Sequence, residues 1–163
     1  MPNQPTPMTG SCRCGQVEFE VAAAPLMTMA CHCRGCQKMT GSAYSLSAAI
    51  PSEGFRVTRG EPVIGALHGP TRHFYCGHCK SWLFTRPEGM DFFVNVRPTM
   101  LAEAVWTEPF IETFTAEKLS WASTPARHSF EHYPAPEMYQ PLIAEFAEHI
   151  ALRQADEAPA TGR

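Results

Sequence analysis

Polar and apolar side chains alternate from Gln16 to Val21, with Val17, Phe19 and Val21 on one face and Gln16, Glu18 and Glu20 on the other. A period of two is the mark of a strand buried on one side. Tyr44, Leu46, Ala48 and Ile50 repeat it, as do Phe92, Val94 and Val96, and Phe55 with Val57 makes a shorter piece before a turn at Arg59-Gly60. These alternations predict a core that is mostly antiparallel β. Fifteen prolines spread along the chain favour many short strands and loops over long helices. One stretch breaks the rule. Leu142, Ile143, Phe146, Ala147 and Ile150 recur at helical spacing behind Pro141, which suits a first turn, and predict a helix over 136–155. Its apolar stripe is expected to pack on the sheet or on a second subunit, which makes a homo-oligomer one of the expected partners.

With 163 residues and 44% hydrophobic content, the chain can bury one sizeable core. The expected organisation is a loose start over 1–9, a β domain over 10–135, the helix, and a loose tail over 156–163. A formal charge of −3 leaves no basic excess to track phosphates, so nucleic acid is not an expected partner. No stretch approaches the roughly 18 apolar residues of a membrane span, and the start lacks the pattern of a secretory signal. A cytoplasmic protein with no membrane partner is the expectation.

Candidate chemistry changes this picture more than composition does. Seven cysteines fall into three tight groups: Cys12 and Cys14; Cys31, Cys33 and Cys36; Cys76 and Cys79. In an extended backbone residues i and i+2 share a face, so a C-x-C can aim two sulfurs at one point, and a C-x-x-C does so through a turn, where Gly77 is expected to relieve the backbone. Thiolates so spaced suit Zn²⁺, which takes sulfur at about 2.3 Å in a tetrahedron. Four plus three is one partition, with Cys12, Cys14, Cys76 and Cys79 closing a structural site and Cys31, Cys33 and Cys36 leaving a fourth position open. The rival pairs Cys12 and Cys14 with two of the middle group and leaves Cys76, Cys79 and one other sulfur in an incomplete site. Either way at least one structural zinc results. Buried apolar thiols, a disulfide scaffold and a thioredoxin-like pair at Cys33 and Cys36 explain the clustering less well.

The stretches GSCRCGQVEFEV, CHCRGCQKMTGS, RHFYCGHCKSWLF and EKLSW, in this order from Gly10 to Trp121, resemble the motifs of the glutathione-dependent formaldehyde-activating family, whose wider membership includes centromere protein V. That resemblance implies a mainly β fold, a β-tent of short twisted antiparallel sheets. It implies a structural zinc on Cys12, Cys14, Cys76 and Cys79 and a catalytic zinc on Cys31, Cys33 and Cys36, two per chain. It also implies the family's founding activity, a carbon–sulfur lyase joining glutathione and formaldehyde into S-hydroxymethylglutathione. The chain departs from the family in three places. Lys80 stands where Gly is frequent, Glu112-Thr113 replaces a His-Ile pair, and VNVRPTMLAEAV lacks a Leu-Asp step.

Three thiolates on a dication sum to one negative charge, which favours a soft fourth ligand such as a substrate thiol over hydroxide. The resemblance implies a small-molecule thiol and an aldehyde as partners, with glutathione as co-substrate. His32, Tyr44 and His73 are candidates for the acid that protonates the product. His32, next to Cys31 in extended chain, is expected to point away from the metal. Arg34, Lys38 and Arg72 are candidates for contacts to glutathione's carboxylates, with Thr40 beside them, and His78 is a spectator or an alternate ligand. The alternative of another class is a non-catalytic zinc-stabilised β module that binds a protein partner.

Overall fold

The computed structural model describes residues 7–103 and 106–157, so most of the expected loose ends, 1–6 of 1–9 and 158–163 of 156–163, lies outside the described residues. In chain order the elements are β1 (Met8–Ser11), β2 (Glu18–Val21), β3 (Met27–Cys31), α1 (Arg34–Thr40), β4 (Ser45–Pro51), β5 (Phe55–Arg59), β6 (Pro62–His68), β7 (Thr71–Cys76), β8 (Trp82–Arg86), β9 (Phe93–Val96), β10 (Ile111–Thr113), β11 (His128–Ser129) and α2 (Tyr139–Glu157). They form a three-stranded sheet, β1-β2-β5, and an eight-stranded one, β11-β10-β3-β4-β9-β8-β7-β6. The protein is mainly β. Pairing is antiparallel except at β10, which runs parallel to β3 and to β11.

The alternation at 16–21 places Phe19 and Val21 in the interior, fully covered, with Glu18 and Glu20 half-exposed. Phe19 lies so close to β1 that a Cβ at Gly10 would sit 2.4 Å from its ring. Only glycine allows that approach. Around Phe19 gather Val17, Ile50, Phe55, Leu83 and Val94 from both sheets, and this cluster is the main core. Burying side chains of this size contributes about 1.5–3 kcal/mol each.

Three local expectations are corrected. In β4 the phase at Tyr44 and Leu46 is inverted: both are half-exposed, while Ser45 and Ser47 are buried. The strand lies between β3 and β9 with cover on both faces, and at this end small polar side chains make room for the cysteines of β3 and α1. Phe92 is 64% exposed and precedes β9, so that strand's inner face carries only Val94 and Val96. In α2, Ala147 faces solvent; the seam consists of Leu142 and Phe146, with Ile150 partly buried beside them.

That seam packs on Met27, Phe110 and Ile111, so α2 covers the β3–β10 end of the large sheet. The sheet is thus a partner of the helix's apolar stripe. Among the described residues no helix is long and apolar enough to cross a membrane.

Candidate metal centre

The sulfurs gather as two sets, Cys12 with Cys14, Cys76 and Cys79, and Cys31 with Cys33 and Cys36, each set having its atoms within 4.8 Å of one another. In the first, Cys12 follows β1 and turns at once. Gly15 donates its N–H to Cys12 O at 3.0 Å, and the Val17 N–H points at Cys12 Sγ from 3.3 Å. Cys76 ends β7, and its own turn closes through Lys80 N–H to Cys76 O at 3.1 Å. Sulfur separations are 3.5 Å for Cys12–Cys14 and 3.8 Å for Cys14–Cys76. Four sulfurs at about 2.3 Å from one centre in a tetrahedron stand about 3.8 Å apart, so the set fits a zinc-sized soft cation. It ties the end of β1 in the small sheet to the β7–β8 hairpin of the large one.

The left-handed residue of this second turn is Lys80, at φ 60°, and not Gly77. A Cβ at Gly77 would meet only Val63, at an ordinary 3.6 Å. Lys80 therefore occupies the position where a glycine is least strained, and its Nζ donates to Gly77 O at 2.5 Å. Lys80→Gly is expected to raise stability by up to about 1 kcal/mol. A melting temperature that falls instead would show that the ammonium contact outweighs the backbone relief.

The second set is built by a strand end and a short helix. Cys31 closes β3, Cys33 caps α1 with its Sγ accepting the Cys36 N–H at 3.3 Å, and Gly41 ends the helix in the left-handed region. Helix α1 was not foreseen; its seven residues carry Cys36 toward Cys31. All three sulfur residues are half-buried. The Cys31 thiol is held down to about 5, first by hydrogen bonding from Cys36, with Thr113 among the further contributors. Cys36 is pushed up by its bond to Cys31 and by burial. Three thiols in one niche cannot all ionise unaided, and a divalent cation is what would let them. An all-sulfur donor set selects a soft one.

Behind this set lies a buried carboxylate. Glu112 Oε2 accepts from His32 Nε2 at 2.9 Å, from Lys118 Nζ at 3.0 Å and from Thr124 Oγ1 at 2.8 Å, and Oε1 accepts from Ser129 Oγ at 2.7 Å. Burial alone would raise its pKa; the bonds from Ser129, Lys118, Thr124 and His32 outweigh it and hold the group at about 2. His32 is fully buried and turned onto this carboxylate, away from the sulfurs, as its place in extended chain predicts. Its amide donates to Thr113 O at 3.0 Å, so β10 grips the segment between Cys31 and Cys33 twice.

The other sequence candidates are dispersed. Tyr44 is half-exposed, its ring edge-on to His32 at 5.3 Å. His73 is buried against Trp82, and its Nδ1 lies 2.9 Å from Thr85 Oγ1. Arg34 and Lys38 share one face of α1 and, with Ser42, Leu119 and Trp121, line a cleft of about 470 Å³. Cys36 sits about 200° around the helix from Arg34, on the other side. Thr40 is on Cys36's side and donates to Cys36 O at 2.8 Å. Arg72 lies in β7 opposite Arg86, and His78 is exposed in the Cys76–Cys79 turn. The sequence reading missed Glu112 as a hub, Arg97, and Tyr133, which is exposed and lies edge-on to Phe114. The one available signal was the Glu112-Thr113 departure.

The family model described as glutathione-dependent formaldehyde-activating enzyme matches residues 7–117. No curated protein matches the chain. Among solved structures, the crystal structure of a Rhodobacter sphaeroides protein is similar, with 23% identity over 58% of this chain and 88% of that chain and a TM-score of 0.49.

Proposed function

The chain belongs to the glutathione-dependent formaldehyde-activating enzyme family, and from that premise we propose that it is a carbon–sulfur lyase joining a small thiol, glutathione foremost, to an aldehyde at Cys31, Cys33 and Cys36. One observation carries the reading: the sulfur sets are unequal, four in one and three in the other. A zinc ion in the smaller set would offer one coordination position and acidify a thiol that enters it.

The chain's own residues do the rest. Thr113 and Ser45 flank Cys31 from the two neighbouring strands, β10 and β4. His32, committed to Glu112, positions the ligand segment and does not donate to substrate. In the reaction the thiol sulfur forms a bond to the carbonyl carbon, the C=O π pair moves to oxygen, and the proton lost by sulfur ends on that oxygen. Nothing is oxidised or reduced. Tyr44 or Tyr133 delivers the proton. Arg34 and Lys38 take the carboxylates of a peptide thiol whose arm passes the end of α1 into their cleft.

The test is metal content and exchange. We expect two metals per chain, one resistant to chelator and one that exchanges and whose Co²⁺ spectrum responds to added glutathione. Formaldehyde consumption should exceed the spontaneous background. Replacing Arg34 and Lys38 by Ala should weaken glutathione but not 2-mercaptoethanol. Two equally inert metals with no turnover would overturn the reading in favour of a module that only binds a partner.

A further inference from the structure

Arg97 follows β9 and is 8% exposed, yet no carboxylate pairs with it among the described residues. Its Nη1 donates to Leu46 O at 2.9 Å and its Nη2 to Thr85 Oγ1 at 3.1 Å, and the guanidinium lies 3.9 Å over the Trp82 ring. Nε is buried without an acceptor. Trp82 Nε1 donates to the same Thr85 oxygen at 3.2 Å, so that oxygen's lone pairs are taken and its proton goes to His73 Nδ1. A neutral surrounding of this kind orients a cation but does not neutralise it, and a buried charge without a counter-charge is strongly unfavourable.

The three-sulfur set begins one strand beyond Leu46. Leu46, which holds Nη1, stands opposite Ala30 in the β3–β4 ladder, and the next pair is Cys31 with Ser45. Neighbouring strands are about 4.8 Å apart. Burial lowers the pKa of Arg97 to about 10, with Cys36, Cys31 and Tyr75 acting the other way. Three thiolates around a dication carry one net negative charge, and an arriving thiolate makes it two.

We propose that Arg97 is the counter-cation of the Cys31–Cys33–Cys36 site and sets its preference for an anionic thiolate over a neutral ligand. This rests on the reading of that site as a metal-thiolate centre. Arginine suits the role because its fork bonds Leu46 and Thr85 while its face stacks on Trp82, which a lysine cannot do at once.

The experiment compares 2-mercaptoethanol, which has no carboxylate, with imidazole as ligands to the Co²⁺-loaded protein, read from the cobalt spectrum. In R97Q the thiol affinity should fall by about ten-fold or more, while imidazole binding stays within about two-fold of wild type. R97K, which keeps the charge but not the fork, should recover part of the loss. A folded R97Q with an unchanged thiol-to-imidazole ratio overturns the proposal, as does an R97K no better than R97Q. If R97Q does not fold, Thr85→Asp supplies the guanidinium with a carboxylate of its own. The ratio must then fall in that variant, and an unmoved ratio overturns the proposal. Wild-type protein that takes no metal at these three sulfurs overturns the proposed function together with this inference, whereas normal loading with unmoved ratios overturns the inference alone.

Discussion

Cys12→Ser is expected to unfold the chain, and Cys33→Ser to leave it folded but unable to hold an added thiol. Cys12 is buried at the end of β1, in the set that joins the small sheet to the β7–β8 hairpin across more than sixty residues of sequence. If those four sulfurs hold zinc, its binding free energy is part of the folding free energy, about 10–16 kcal/mol for structural sites. That matches or exceeds the net stability of about 5–15 kcal/mol of an ordinary domain. Removing one ligand should therefore abolish cooperative melting. Cys33 is half-buried at the start of α1 and its Sγ accepts one backbone N–H, a cap that a serine oxygen can replace. The loss there should be about 1 kcal/mol or less. Circular dichroism melts with metal counts per chain decide the matter. A Cys33→Ser protein that melts as poorly as Cys12→Ser would end the division of roles between the two sets.

The second large effect concerns the carboxylate behind the sulfurs. Glu112→Leu would strip the acceptor from His32, Lys118, Thr124 and Ser129 together. Breaking a buried charged network from one side is expected to lower stability by about 3–5 kcal/mol. Glu112→Gln keeps the shape and one acceptor oxygen, and should lose about 1–3 kcal/mol. The same group predicts a pH dependence. Its folded pKa of about 2 lies below the ordinary 4.5, so its contribution is present above pH 4.5 and disappears as pH falls toward 2. Urea unfolding at pH 7 and pH 3 should show wild type losing more stability than Glu112→Gln over that interval. Parallel losses in the two proteins would remove Glu112 from this role.

Much of the architecture was legible because strands write themselves in a period of two. Phe19 and Val21 point inward from β2 as their spacing requires, and Leu142 and Phe146 do the same from α2. The reading failed where a strand is covered on both faces. In β4 the buried Ser45 stands opposite Cys31 of β3, so polarity there reports a site and not solvent. Phe92 failed for the opposite reason: one residue before a strand, it has no sheet neighbour to lie against.

By itself the sequence determined the local pairs, because C-x-C and C-x-x-C bring sulfurs together through two or three peptide units whatever the rest of the chain does. Strand phase and the helix near the end are equally local. Only the tertiary structure decided which pairs meet, that Arg34 and Lys38 face away from Cys36, and that a carboxylate and a guanidinium stand behind the open set. Glu112 finds its partners 6, 12, 17 and 80 residues away, and Arg97 reaches Leu46 across 51. Spacings of that length leave no periodic trace, since they are set by how sheets stack and not by how a backbone turns.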